Sequence, residues 1–316
     1  MPLQNKPSKV RRPSTAQKRP STQALGACLV PLDLTEQAVS LIEAASGFAS
    51  ALDYRLEFLH VVEPLPVTSL ASAPFGVAGI MNYEEQALER ALSQLEEWGA
   101  SHDAKAKACL GTPGFDILEE SHDPAVELLV MATHARSGIA RGLLGSITEW
   151  VVRRSTKPVL TINPDTHPTQ PVKRILWPTD LSDSSKRVLP LVAKWSEQLH
   201  AEVTVLVVFD SKEPLDFTPG FEPEEEVVDA FEEHAAEVRN ALLEEELAEE
   251  LSVFDRVQVE SCFGNPAEQI AEFCEDQDID LVMMTTHGRR GFRRLLLGST
   301  TEEVIRNAKV PVLSYR

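Results

Sequence analysis

One stretch of the chain occurs twice. "THARSGIARGLLGSITEW" at 133–150 returns as "THGRRGFRRLLLGSTTEE" at 286–303, with eleven of eighteen positions identical. Other pairs fall in the same order. "CLVPLDLTEQA" (28–38) matches "ILWPTDLSDSS" (175–185), "CLGTP" (109–113) matches "CFGNP" (262–266), and "KPVLTI" (157–162) matches "VPVLSY" (310–315). A duplication restricts the solutions available to the chain, because whatever one half folds into, the other must fold into as well.

Each half reads as strands alternating with helices. Apolar runs too short for helices open the halves at 27–31 and 174–178, and helical patterns follow at 35–50 and 182–198. Next come the runs 55–62 and 202–209, a Glu-rich helix (83–98; about 222–250), "AKACLG" or "VESCFG", a third helix, "ELLVMAT" (127–133) or "DLVMMTT" (280–286), a fourth helix and a closing strand. This alternation predicts a parallel sheet covered on both faces. The fold class is α/β: two tandem open five-stranded parallel-sheet sandwiches of Rossmann-like, nucleotide-binding type. The expected domains are 24–163 and 172–316, joined by a linker at 164–171 and preceded by a disordered basic tail at 1–23.

Composition narrows the function. The formal charge is −19, although the first 23 residues carry six Lys or Arg and no acid, so the body is more acidic still. Such a body repels nucleic acid and anionic membranes, and neither is expected as a partner. No apolar run reaches the roughly 20 residues that span a bilayer, and no secretory signal opens the chain. The four cysteines, Cys28, Cys109, Cys262 and Cys274, make neither a C-x-x-C pair nor a zinc spacing. Reduced thiols that pack in a cytoplasmic protein are the expectation.

In an open parallel sheet, ligands sit beyond the carboxyl ends of the strands, at the switch point. The first strand of the second half ends at Pro178-Thr179-Asp180, and its fourth ends at Thr286-His287-Gly288. A glycine- and arginine-rich loop follows, and then a helix start at "STTEEVIRNA". Ser299 with Glu302, like Ser146 with Glu149, fits a capping box. Helix starts favour phosphate, and Gly288 and Gly298 would permit close approach and positive φ. Asp33 and Asp180 read equally as helix-entry caps, helped by Thr35 and Ser182. His134 and His287 lack partners for a metal site.

The repeated loop resembles the signature of the universal stress protein family: Gly, two residues, Gly, nine residues, then Gly followed by Ser or Thr. Gly288, the nine residues after it, Gly298 and Ser299 match its latter part. The P-x-D openings, the G-x-P turns and the P-V-L endings are similar too. The resemblance implies ATP in the crevice of one subgroup, with Mg2+, and pairing of domains through their last strands. It puts Pro178, Thr179 and Asp180 near adenine and ribose. Thr285, His287, Gly288, Arg289, Gly298, Ser299 and Thr300 fall around the phosphates. Two departures stand out. Thr285 occupies the first signature glycine, and in the first half Ala132 and Ala135 replace both early glycines. The second half is therefore the expected nucleotide site.

The expected function is a stress-response protein that binds an adenine nucleotide and alters its affinity for a protein partner. A nucleotide-independent scaffold is the alternative. No catalytic or metal residue is expected, and slow hydrolysis or self-phosphorylation on Ser299 or Thr300 is the most chemistry foreseen. A homodimer is left open. Two further stretches carry default expectations: 69–82 as a loop, and 213–250, with fifteen acids, as an amphipathic helix buried through Val227, Val228, Phe231, Val238, Leu242 and Leu247.

Overall fold

A computed structural model describes residues 26–65, 76–133, 144–163, 171–209, 225–286 and 297–316. The basic tail and the linker, apart from residue 171, lie outside them. The first half runs β1 (Ala27–Pro31), α1 (Gln37–Leu52), β2 (Arg55–Val62), α2 (Gly76–Ala100), β3 (Lys105–Leu110), α3 (Pro113–Ser121), β4 (Val126–Ala132), α4 (Ser146–Arg154), β5 (Val159–Ile162). The second runs β6 (Arg174–Thr179), a 3₁₀ turn (Ser185–Val188), α5 (Leu189–Leu199), β7 (Glu202–Phe209), α6 (Glu225–Glu246), α7 (Ala248–Leu251), β8 (Val257–Phe263), α8 (Pro266–Asp276), β9 (Leu281–Thr285), α9 (Ser299–Asn307), β10 (Val312–Tyr315).

The ten strands form one sheet in the order β3-β2-β1-β4-β5-β10-β9-β6-β7-β8. Within each half every pairing is parallel. At the centre β5 and β10 pair antiparallel, with Leu160 opposite Leu313. The closing strands thus cover each other's edges inside one chain, and two exposed ladders become one buried one. Thr161 Oγ1 donates to Val312 O at 2.9 Å and Ser314 Oγ to Val159 O at 3.3 Å, so the buried hydroxyls at this seam are satisfied.

The antiparallel seam keeps matching helices on matching faces. One core lies under α1, α2, α5 and α6 and runs without a break from Phe58 and Leu160 to Trp177, Trp195 and Leu313. The other lies under α3, α4, α8 and α9, around Val151, Ile270, Val304 and Val312. Phe48 of α1 meets Trp195 of α5 across the halves, with ring centroids 6.2 Å apart. Lys194 reaches back to Glu127 Oε2 at 3.1 Å and to the Tyr54 hydroxyl at 3.2 Å.

Several local expectations change. The segment 76–82 is the start of α2, not loop: small residues weaken the helical signal without preventing a helix. The helix expected over 182–198 is split into a 3₁₀ turn and α5, because Pro190 supplies no N–H and restricts Leu189 before it. α6 buries Leu243, and Leu247 just past its end is fully buried, whereas Val238 and Leu242 are 48% and 62% exposed. Its inner face is set from the side by Arg239, whose guanidinium lies 4.7 Å over the Phe263 ring and whose Nε donates to Ser261 Oγ at 2.7 Å. Cys109 and Cys262 sit on the outermost strands and are only half-buried, while Cys28 and Cys274 are buried. Burial pushes the Cys274 thiol up to about 12 and the Cys28 thiol higher still, so neither is a nucleophile at neutral pH.

The turns after α1, α2, α5 and α8 hold Asp53, Asp103, His200 and Asp278 at φ 59°, 51°, 54° and 48°. Glycine usually takes this left-handed position after a helix. His200 is exposed, so His200→Gly is expected to raise stability by ~0.5–1 kcal/mol in denaturant unfolding. At the seam, Leu313 is fully buried, and Leu313→Ala is expected to cost ~2–5 kcal/mol in the same measurement.

Candidate functional site

β6 and β9 are neighbours at the point where the winding of the second half reverses. Their mutual ladder consists of Ile175 with Leu281 and Leu176 with Val282. Both strands continue for three more residues, each paired only on its outer side: Thr179 with Val207, and Thr285 with Tyr315. A cleft therefore opens between the last residues of β6 and β9. In the first half the β1–β4 ladder ends at Leu29 and Leu129, short of both strand ends, and the same cleft follows.

On the β6 side, Pro178 and Thr179 are buried and Asp180 is half-buried. Thr179 Oγ1 lies 2.8 Å from Ser185 Oγ and accepts the Leu181 amide at 3.0 Å. Asp180 Oδ1 accepts from the Ser182 amide at 3.1 Å and its hydroxyl at 2.6 Å. Asp33 does the same with Thr35, at 3.1 and 2.8 Å. Both aspartates thus shape the turn beyond the first strand and do not cap a helix, since Glu36 and Ser184 hold the cap positions without a side-chain bond. Leu181 and Leu34, which follow them, stand at φ 65° and 60°. A leucine held left-handed costs roughly 1–2 kcal/mol. Its recurrence at both clefts is a strained feature that sequence reading missed, and the only cue was the repeated Asp-Leu-Ser/Thr.

On the β9 side, Thr285 and Thr286 are buried. Thr301 Oγ1 donates to Thr285 O at 2.9 Å, Gly298 N to Thr286 O at 2.8 Å, and Thr286 N to Tyr315 O at 2.8 Å. The first half repeats all three bonds: Thr148 Oγ1 to Ala132 O at 2.8 Å, Gly145 N to Thr133 O at 2.7 Å, and Thr133 N to Ile162 O at 2.9 Å. The first turn of each helix is thereby fixed at the end of its strand, beside the cleft. His287, Gly288 and Arg289 lie outside the described residues, as do His134 and Ala135.

The capping boxes do not form. Gly298 and Gly145 occupy the cap positions and bring no side chain, while Ser299 and Ser146 are already the first residues of their helices. Glu302 turns to Arg306, with 2.6 Å between Oε1 and Nη2. Nor does Gly298 use its freedom, since it stands at φ −61° and ψ 138°, open to any residue. The amides of Ser299, Thr300 and Thr301 have no acceptor among the described residues, as is general for a first helical turn. Ser299 is exposed and Thr300 half-exposed. Beside the first cleft, His60 Nδ1 lies 2.6 Å from Leu32 O, where the second half has Val207.

Among the described residues no group of three or more His, Cys, Asp or Glu is arranged to hold a metal ion, and no helix is long and apolar enough to cross a membrane.

The family model for the universal stress proteins matches twice, at residues 26–163 and 171–316. A universal stress protein of Methanocaldococcus jannaschii is 35% identical over 141 residues, covering 45% of this chain and 80% of its own. One of Mycolicibacterium smegmatis is 24% identical over 315 residues, covering 91% of this chain and 96% of its own. The crystal structure of a universal stress protein from Archaeoglobus fulgidus superposes with a TM-score of 0.61 at 21% identity, over 92% of this chain and 98% of that one, a likeness of fold. With the family matched over both repeats and the strand order of each half in place, the chain belongs to the universal stress protein family and carries two of its domains in tandem.

Proposed function

We propose that the chain binds an adenine nucleotide, ATP foremost, in the cleft of its second half, and serves in the cytoplasm as a stress-response regulator whose contacts with a protein partner change on loading. One observation carries the reading. The cleft between β6 and β9 adjoins the start of α9, where three consecutive amides lack acceptors among the described residues and a glycine stands in place of a side chain.

Phosphate oxygens would accept from the amides of Ser299, Thr300 and Thr301, aided by the partial positive charge of the helix start. The Ser299 and Thr300 hydroxyls add donors, and Asp180, at the opposite lip, suits a ribose hydroxyl. Mg2+ would arrive with the phosphates, whose oxygens it prefers. His287, Gly288 and Arg289 belong to the same proposal through the signature alone. The first cleft, with Ala132 and Ala135 in its loop, is the weaker site.

The scaffold reading rests on Thr285, buried at the strand end where the family signature has glycine. A simple measurement separates the two readings. Denaturing the purified protein and identifying what it releases by mass is expected to yield an adenine nucleotide, and added ATP is expected to raise the thermal midpoint, by ~2.7 kcal/mol of stabilisation at a hundredfold excess over Kd. Protein that releases nothing and ignores ATP is a scaffold. Gly298→Val keeps the backbone angles and adds a branched side chain at the helix start. It is expected to weaken ATP binding about tenfold, ~1.4 kcal/mol, in calorimetric titration.

A further inference from the structure

The two helices that start beside the clefts meet across the seam. Each carries an acid in its first turn and an arginine four residues on: Glu149 with Arg153 in α4, and Glu302 with Arg306 in α9. One ion pair crosses between the halves. Arg153 Nη2 lies 3.7 Å from Glu302 Oε2, with both side chains only 26% exposed. Among the described residues no pair joins Arg306 to Glu149. Glu302 thus has two guanidinium partners among the described residues and Glu149 one, although the helices are repeats of each other.

The arrangement is kept at a cost. Nε of Arg153 and Nε of Arg306 are buried and have no hydrogen-bond partner among the described residues. A buried unsatisfied donor costs ~1–3 kcal/mol, and apolar residues would fill such a seam as well or better. Packing alone does not explain two arginines here. Electrostatics does. A first-turn acid stabilises an empty helix start, and its negative charge opposes any other anion brought to the same end. A guanidinium bound to that acid removes the opposition, and at partial burial the effect is only partly screened.

We propose that Arg153, a residue of the first half, is a positioning residue for the anion-accepting end of α9 in the second. Together with Arg306, the nearer partner, it offsets the charge of Glu302, so that the amides of Ser299, Thr300 and Thr301 meet an anionic ligand with less competing charge. The first half thereby completes the second cleft and, among the described residues, receives no equivalent contact in return. This inference rests on the nucleotide reading above.

Titration of the full chain with ATP, in wild type, Arg153→Gln, Arg153→Lys, Glu302→Gln and the double variant Arg153→Gln/Glu302→Gln, tests it. Arg153→Gln is expected to weaken ATP binding about two- to fivefold, and Arg153→Lys to recover most of the loss. Glu302→Gln, which keeps the arginine, is expected to bind no more weakly than wild type. The double variant is expected to return to wild-type affinity, because the charge that Arg153 offsets is gone. A merely structural arginine predicts a double variant at least as weak as Arg153→Gln, and that result overturns the inference. So does Arg153→Gln binding ATP like wild type, which leaves the nucleotide reading standing. Wild type that binds no ATP overturns both.

Discussion

The structure depends on the antiparallel ladder between β5 and β10. Each half ends in a four-residue strand whose residues are almost wholly buried, and such a strand cannot remain an open edge. Leu160 opposite Leu313 closes both edges at once. From that pairing follow the single ten-stranded sheet, the two cores that run through both halves, and the approach of α4 to α9. Phe48 against Trp195 and Lys194 against Glu127 are further contacts that the same placement makes possible.

The clefts follow from a different constraint. A parallel sheet wound outward in both directions from its middle must separate a pair of neighbouring strands at their carboxyl ends. The repeated bonds from Gly145 and Gly298 back to the fourth strands fix a helix start beside each opening. The left-handed Leu34 and Leu181 form the opposite lips, and their strain is offset by the buried leucine, isoleucine and valine side chains of the strands behind them. Rigid strands thus hold the first turn of each helix in place.

Much of this was legible in the sequence, because burial on both faces writes itself as apolar runs. "RLEFLHVV" and "EVTVLVVF" are strands at their full expected bounds. Helix boundaries were harder to read, and the reason is local. The chain ends four helices with Asp53, Asp103, His200 and Asp278 where glycine would have marked the stop. The S-x-x-E pattern at 146–149 and 299–302 looked like a cap, yet the serine is one residue too late and the glutamate serves an i,i+4 ion pair. The inner face of α6 was misjudged because Val238 and Leu242 fit a helical stripe as well as Leu243 and Leu247 do, and only the strand beneath decides. Of the site, the ends of β6 and β9 and the start of α9 could be located from repeats and spacing. The strained leucines and the ion pair across the seam depend on tertiary placement that no periodicity encodes.

A seam made between two halves of one polypeptide behaves differently from the same seam between separate subunits. Its strength is set by the tether and not by how much protein is in solution, so dilution leaves it intact. It also frees the two sides to change independently. In a symmetric pair of identical chains every substitution appears twice, and a cleft cannot be surrendered on one side alone. Here Ala135 stands against Gly288, and His60 against Val207, without either change being copied across. One lobe can drift toward support while its twin keeps the features that suit a ligand.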